Sequence, residues 1–287
     1  MIASSVVSGL LLGGVYALIA LGLSLVFGVL RMVNLAHGAI LIGGAYLALF
    51  LTQHAGLGLA AAVPVVAGVV FGLSYLLQRG LFSTLLMRDR NGPLVAAFGL
   101  ALVLEALYLQ AYSANPQSLR SSLGTSGFEV AGLHLRTAYL AGFMTAALAC
   151  AGAAFLLART RTGGRIRAAA ADPATAQLAG IDVRRLYAVT FAAATALSAV
   201  AGILVGTTFS VTPDGGTAYL LTGFAVVALG GVGNVAGTFA AGLAVGVIQT
   251  VGAQVFGGGY ADLCVYVALL LALTLRPGGV FGRRTLA

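Results

Sequence analysis

Long apolar runs alternate with short polar intervals along the whole chain. The runs occupy 5–28, 39–52, 57–77, 94–112, 137–158, 186–208, 219–230, 235–255 and 260–275. A helix needs about 20 apolar residues to cross hydrocarbon. Two runs, 39–52 and 219–230, are short for that. Short apolar segments interrupted by Gly form half-helices or re-entrant pieces around a pathway. The pattern therefore predicts an all-α fold, a polytopic transmembrane bundle of eight or nine crossings with discontinuous or re-entrant segments. It is expected to form one membrane domain over 1–287.

Composition narrows the choice. The chain is 60% hydrophobic and 8% charged, against about 25% charged in a soluble domain. Too few polar side chains exist to cover a water-facing surface. Disorder needs low hydrophobicity and high charge, so it is excluded as well. The first run has no Ala-x-Ala-type cleavage site after a basic start, so it reads as the first crossing rather than a removed signal. Cys150 and Cys264 lie inside apolar runs without a CxxC partner or metal-ligand spacing, and read as packed thiols. No metal site is expected.

Charge supplies orientation. The net charge is +8, and all 15 basic residues are arginine. They cluster at Arg79, Arg88 and Arg90, at Arg159, Arg161, Arg165, Arg167, Arg184 and Arg185, and at Arg276, Arg283 and Arg284. The positive-inside rule makes these regions cytoplasmic and the interval 113–136 external. The N-terminus is external if all nine runs cross, and internal if one does not. Asp214 and Asp262 then sit near external ends, in solvated or capping roles. Short arginine clusters between apolar runs lack the basic stripe and stacking aromatics of a nucleic-acid surface, so no nucleic-acid partner is expected. Glycine reaches 41 copies. The pairs Gly9/Gly13, Gly68/Gly72, Gly233/Gly237 and Gly242/Gly246 offer faces for close helix approach.

The interval 159–185 is the most informative cytoplasmic segment. Asp172 is placed to cap a helix, Pro173 suits the first helical position, and Gly180 closes it in a left-handed conformation. A helix of about two turns over 173–179 is predicted outside the membrane, carrying a single large apolar side chain, Leu178. As read from these residues alone, it is either an ordinary surface helix or a knob that docks into another protein.

Several stretches resemble one family. They are Gly164-Arg165 with Arg167-Ala168, Ala171-Asp172, Ala176 and Gly180-Ile181, then 14–22 followed by 28–38, then 229–237, and the tail 276–282. They resemble, in order along the chain, the inner-membrane permeases of ABC importers for branched-chain amino acids, and most resemble the shorter of the two permeases that pair. The interval 78–88 departs from the family's basic Tyr-Arg-Pro-like stretch. The resemblance implies a multi-pass subunit of the bacterial inner membrane, without catalysis or a cofactor of its own. It implies a second homologous permease, usually a different chain, and two ATPase subunits that carry ATP and Mg. An external binding protein would deliver the substrate, and transport would proceed by alternating access. Arg165, Asp172, Pro173, Ala176, Leu178 and Gly180 would form the helix that couples to the ATPases.

Polar groups near the bilayer complete the candidate set. Asn34 and His37, three apart, share a helix face, and Gly38 permits a break or close approach. They line a pathway on one reading and cap helix ends at the interface on the other. A second break, with Gly231, Gly233 and Asn234, precedes a Gly/Ala-rich run. Asn34-x-Ala36 and Asn234-x-Ala236 suggest an internal repeat. Glu105 lies inside an apolar run, where an ionisable group costs ~2.5–3.5 kcal/mol on insertion scales and must face protein or water. It is a candidate to meet an arginine or a substrate ammonium. No Ser/His/Asp set, carboxylate pair or nucleotide loop is present. A stand-alone secondary transporter or channel is the rival reading, and it would need coupling charges of its own.

Overall fold

The computed structural model describes residues 2–88, 92–119, 127–130, 133–276 and 279. In chain order its helices are α1 (Ile2–Leu30), α2 (His37–His54), α3 (Leu59–Leu77), α4 (Ser83–Arg88) and α5 (Gly92–Tyr112), then α6 (Thr137–Arg159), α7 (Arg161–Ala171), α8 (Pro173–Leu178), α9 (Val183–Thr208), α10 (Gly216–Gly230), α11 (Val235–Phe256) and α12 (Ala261–Leu275). A π-helical turn, Gln78–Phe82, joins α3 to α4. A small hairpin, β1 (Gly127–Val130) with β2 (Leu133–Arg136), adds two antiparallel strands to an otherwise helical bundle, with Gly127 opposite Arg136.

Among the described residues, seven helical segments are long and apolar enough to cross a membrane. The two short runs of the sequence are α2 and α10, neither of which is among the seven. Contacts orient every segment. Glycines 9 and 13 of α1 meet Thr250 and Leu243 of α11, while Gly28 meets Gly233, so α1 and α11 are antiparallel. Val15 meets Gly142 of α6, and Leu21 clusters with Cys150, so α1 and α6 are parallel. The C-terminal end of α1 therefore lies with Arg159, α7 and the start of α9, at what is called here the arginine end. The N-terminal end of α1 lies at the opposite end.

The order of directions reveals an inverted repeat. The set α1, α2, α3, α5 matches α9, α10, α11, α12 with every direction reversed. Burial supports this pairing. The apolar windows of α1 and α9 are 78% and 72% buried, those from α3 and α11 are 22% and 28%, and those from α5 and α12 are 11% and 6%. In this repeat Asn234, ahead of α11, corresponds to the start of α3 rather than to Asn34. The Asn-x-Ala echo in the sequence is not the structural repeat.

Close approach, not greasiness, holds the centre, because lipid tails are as apolar as the side chains they would replace. A Cβ at Gly13 would stand 2.6 Å from the Leu243 backbone, and one at Gly242 would stand 2.6 Å from the Ala17 Cβ. Gly68 and Gly72 differ. Nothing lies within 4 Å of a Cβ added at either, so this predicted packing face has no partner within the described chain.

Candidate functional site

The chain folds back into the bundle after α1. Arg31 turns it with a positive φ of 52°, and 31–36 return non-helically beside α1. His37 then starts α2 with its Nε2 donating to the Ile19 carbonyl at 3.1 Å. A carbonyl only accepts, so the proton sits on Nε2. Ile19 lies about 16 Å back from the end of α1, at 1.5 Å per helical residue, which puts the start of α2 deep in the bundle. Asn34 shapes the return. Its Oδ1 accepts from the Ala36 amide at 3.2 Å, and its carbonyl accepts from the His37 amide at 3.2 Å. Both side chains are fully buried, and among the described residues Asn34 Nδ2 and His37 Nδ1 have no hydrogen-bond partner. Asn34 thus closes a turn ahead of α2, whose N-cap is Ala36 without a side-chain cap, and it does so buried at depth rather than at an interface.

The second short helix starts at the same place. The backbones of Gly38 and Gly216 touch, so that a Cβ on Gly216 would meet the Gly38 carbonyl carbon at 2.7 Å. Ser198 of α9 donates to the His37 carbonyl at 3.3 Å. From this point α2 runs away from the arginine end and α10 runs toward it, with Gly223 against Leu23 and Phe224 edge-on to Phe27 at 6.1 Å. Non-helical backbone at such depth is tolerated beside protein or a water-filled cavity.

The other predicted pathway residues lie elsewhere. Gly231 and Gly233 adopt φ values of 83° and 74°, which lets the chain reverse between α10 and α11. Gly233 donates to Ser24 Oγ at 3.2 Å, and Asn234 caps α11 through the Gly237 amide at 3.1 Å. These residues line a cavity of about 610 Å³ with Arg167, at the arginine end. Glu105, on the largely exposed α5, lines a separate, open cavity of about 660 Å³ with Thr212, Pro213 and Asp214. The structure therefore brings Asn34, His37 and Gly38 together, and separates them from both other groups.

The predicted exposed helix is present and well capped. Asp172 Oδ1 accepts from the Ala174 and Thr175 amides at 2.9 and 3.3 Å, and Gly180 has φ 80°. The Thr175 hydroxyl and these amides hold the Asp172 carboxyl below its ordinary pKa. Ala176 turns inward, 4% exposed, against Ala169 and Val183. Leu178 stands 90% exposed. Arg165 points out from α7, a helix that precedes the one expected over 173–179. Thr160 caps α7 by accepting from Gly163 at 3.0 Å, and the inward spacing of Gly163, Ile166 and Ala169 was the available signal.

Two groups escaped sequence reading. Gln78 is fully buried at the π turn, and among the described residues neither its Nε2 nor its Oε1 has a partner. Its only trace was the unusual 78–88 stretch. The second group, Tyr16, Gln249 and Asp262, comes from three helices and shares one cavity. Among the described residues no group of three or more His, Cys, Asp or Glu is placed to hold a metal.

Residues 5–274 match the family model described as branched-chain amino acid transport system, permease component. The chain belongs to this permease family. It is 31% identical to the high-affinity branched-chain amino acid transport system permease protein BraD of Pseudomonas aeruginosa, over 96% of this chain and 94% of the relative. It is 28% identical to LivH of Escherichia coli over the same shares. A probable branched-chain amino acid transport permease of Methanocaldococcus jannaschii is 27% identical over 92% of this chain and 88% of its own length. No solved structure matches. This permease is accordingly a multi-pass membrane component of a transport system, and not an enzyme.

Proposed function

We propose that this permease is the membrane-spanning subunit of an ATP-driven importer for branched-chain or related hydrophobic amino acids in the bacterial inner membrane. The arginine end is cytoplasmic. A second homologous permease pairs with it, and two ATPase subunits bind ATP and Mg. An external binding protein delivers substrate. The observation that supports this reading most is α8, a rigidly capped helix whose Leu178 stands out into solvent. A large apolar side chain held on a rigid support is what a docking partner uses as an anchor. Arg165 lies on the same side of the membrane, and Ala176 ties α8 to α7 and α9. Motion imposed on α8 would pass through α9 to the broken helices, where Ser198 holds His37. Alternating access would rock the two inverted halves about the Gly38–Gly216 contact.

Co-expression with candidate ATPase subunits, purification and reconstitution test this reading. ATPase subunits are expected to co-purify, and labelled leucine uptake is expected to require both ATP and the external binding protein. Uptake that persists without ATP overturns it in favour of a stand-alone transporter.

A further inference from the structure

A cavity of about 390 Å³ lies between α1, α6, α10, α11 and α12, within the size range of small-molecule pockets. Tyr16 comes from the first half of α1 and Gln249 from the second half of α11, so the cavity lies toward the end opposite the arginines. Tyr219, in the first turn of α10, places part of its wall where the broken helices begin. Tyr16, Tyr139, Phe209 and Tyr219 present aromatic rings around it, with Tyr139 and Phe209 6.5 Å apart, centroid to centroid.

One directed polar chain crosses this aromatic wall. The Tyr16 hydroxyl donates to Gln249 Oε1. That fixes the amide so that Gln249 Nε2 donates to Asp262 Oδ1, at 2.6 Å. Every donor points toward Asp262, whose Oδ1 ends the chain as the acceptor. No described arginine forms an ion pair with it. Asp262 was expected to be solvated or to cap a helix. It is solvent-exposed in the first turn of α12, and from there it accepts from Gln249 at the mouth of the cavity.

We propose that this pocket receives the ammonium group of an amino acid on its way through the permease. The inference rests on the importer reading above and names the site that reading leaves open. Aromatic faces attract organic cations, and a carboxylate beside them completes the charge match. A single carboxylate among phenol rings is a poor site for a hard metal ion, which takes six or more oxygens. Tyr16 and Gln249 act as positioning residues by holding Asp262.

The test uses the complete transporter in nanodiscs, with equilibrium binding of labelled leucine and of 2-hydroxy-4-methylpentanoate, which carries hydroxyl in place of ammonium. Asp262→Asn keeps the shape and removes the charge. It is expected to weaken leucine binding about tenfold or more and to leave the hydroxy acid unchanged. Asp262→Glu is expected to retain leucine binding, and Tyr219→Phe to retain it where Tyr219→Ala does not. Wild-type leucine affinity in a folded Asp262→Asn overturns the proposal. If that variant does not fold, wild-type affinity in Tyr219→Ala overturns it instead. Where ATP-driven leucine uptake is intact and the variants bind normally, only the pocket assignment falls. Where the wild-type transporter shows no ATP-driven uptake, the importer reading falls and takes this proposal with it.

Discussion

Gly38 and Gly216, which begin or nearly begin two short helices, lie backbone against backbone at the centre of the bundle. Neither position has room for a side chain. The contact joins the two inverted halves where each has broken its helix. It explains why two apolar runs are too short to cross: each is preceded by non-helical chain, 31–36 before α2 and 209–215 before α10.

This contact predicts a sharp steric effect. Gly216→Ala or Gly38→Val is expected to lower stability by about 1–3 kcal/mol, the usual range for overpacking. Thermal unfolding in detergent measures it. Gly68→Ala serves as control, because open space surrounds Gly68, and it is expected to change little. Equal midpoints for all three variants would contradict the close approach.

Asp172 carries a pH signature. Its folded pKa is lowered below the ordinary 3.8 by the Thr175 hydroxyl and the first-turn amides. The cap's contribution is therefore full above the ordinary value, and is lost as pH falls through the lowered one. Amide exchange across 174–180, corrected for intrinsic rate, is expected to show protection lost only at such acid pH. Asp172→Asn keeps an equally good capping group without a charge, so its profile is expected to be flat.

Leu178 and Ala176 should separate coupling from folding. Leu178→Asp lies on an exposed position and is expected to leave the unfolding free energy within about 0.5 kcal/mol of wild type, while ATP hydrolysis no longer drives uptake. Ala176→Leu forces a large side chain against Ala169 and Val183 and is expected to destabilise α8 itself. Normal coupling in Leu178→Asp would remove the docking role.

The contact-derived directions fix the sidedness of every segment once the arginine end is taken as cytoplasmic. With Cys264 replaced by Ala, Ile2→Cys is expected to react with a membrane-impermeant thiol reagent from outside intact cells. Gln177→Cys is expected to react only after the membrane is opened. The reverse pattern would invert the whole assignment.

Much of this was legible along the chain. Runs of apolar residues mark the crossings because hydrocarbon tolerates almost nothing else. The capped helix after Asp172 was readable because capping is local: Asp, Pro and Gly act within a few residues of one another. Even the two short runs announced a discontinuity. The α7 helix escaped because its stripe of Gly163, Ile166 and Ala169 is too small to stand out beside four arginines.

What the sequence by itself determined was therefore everything that depends on neighbours in the chain: the apolar helices, their arginine-marked ends and the capped turn at 172–180. The tertiary structure alone decided which breaks meet. Asn34 and His37 were candidates together with Gly231, Gly233, Asn234 and Glu105, yet it is Gly38 and Gly216 that bring the two breaks together, while Tyr16, Gln249 and Asp262 assemble a pocket from three separate helices. The physical reason is that helix packing in a membrane rests on close steric fit. Spacing along one helix shows which residues share a face, but not which face of another helix fills it.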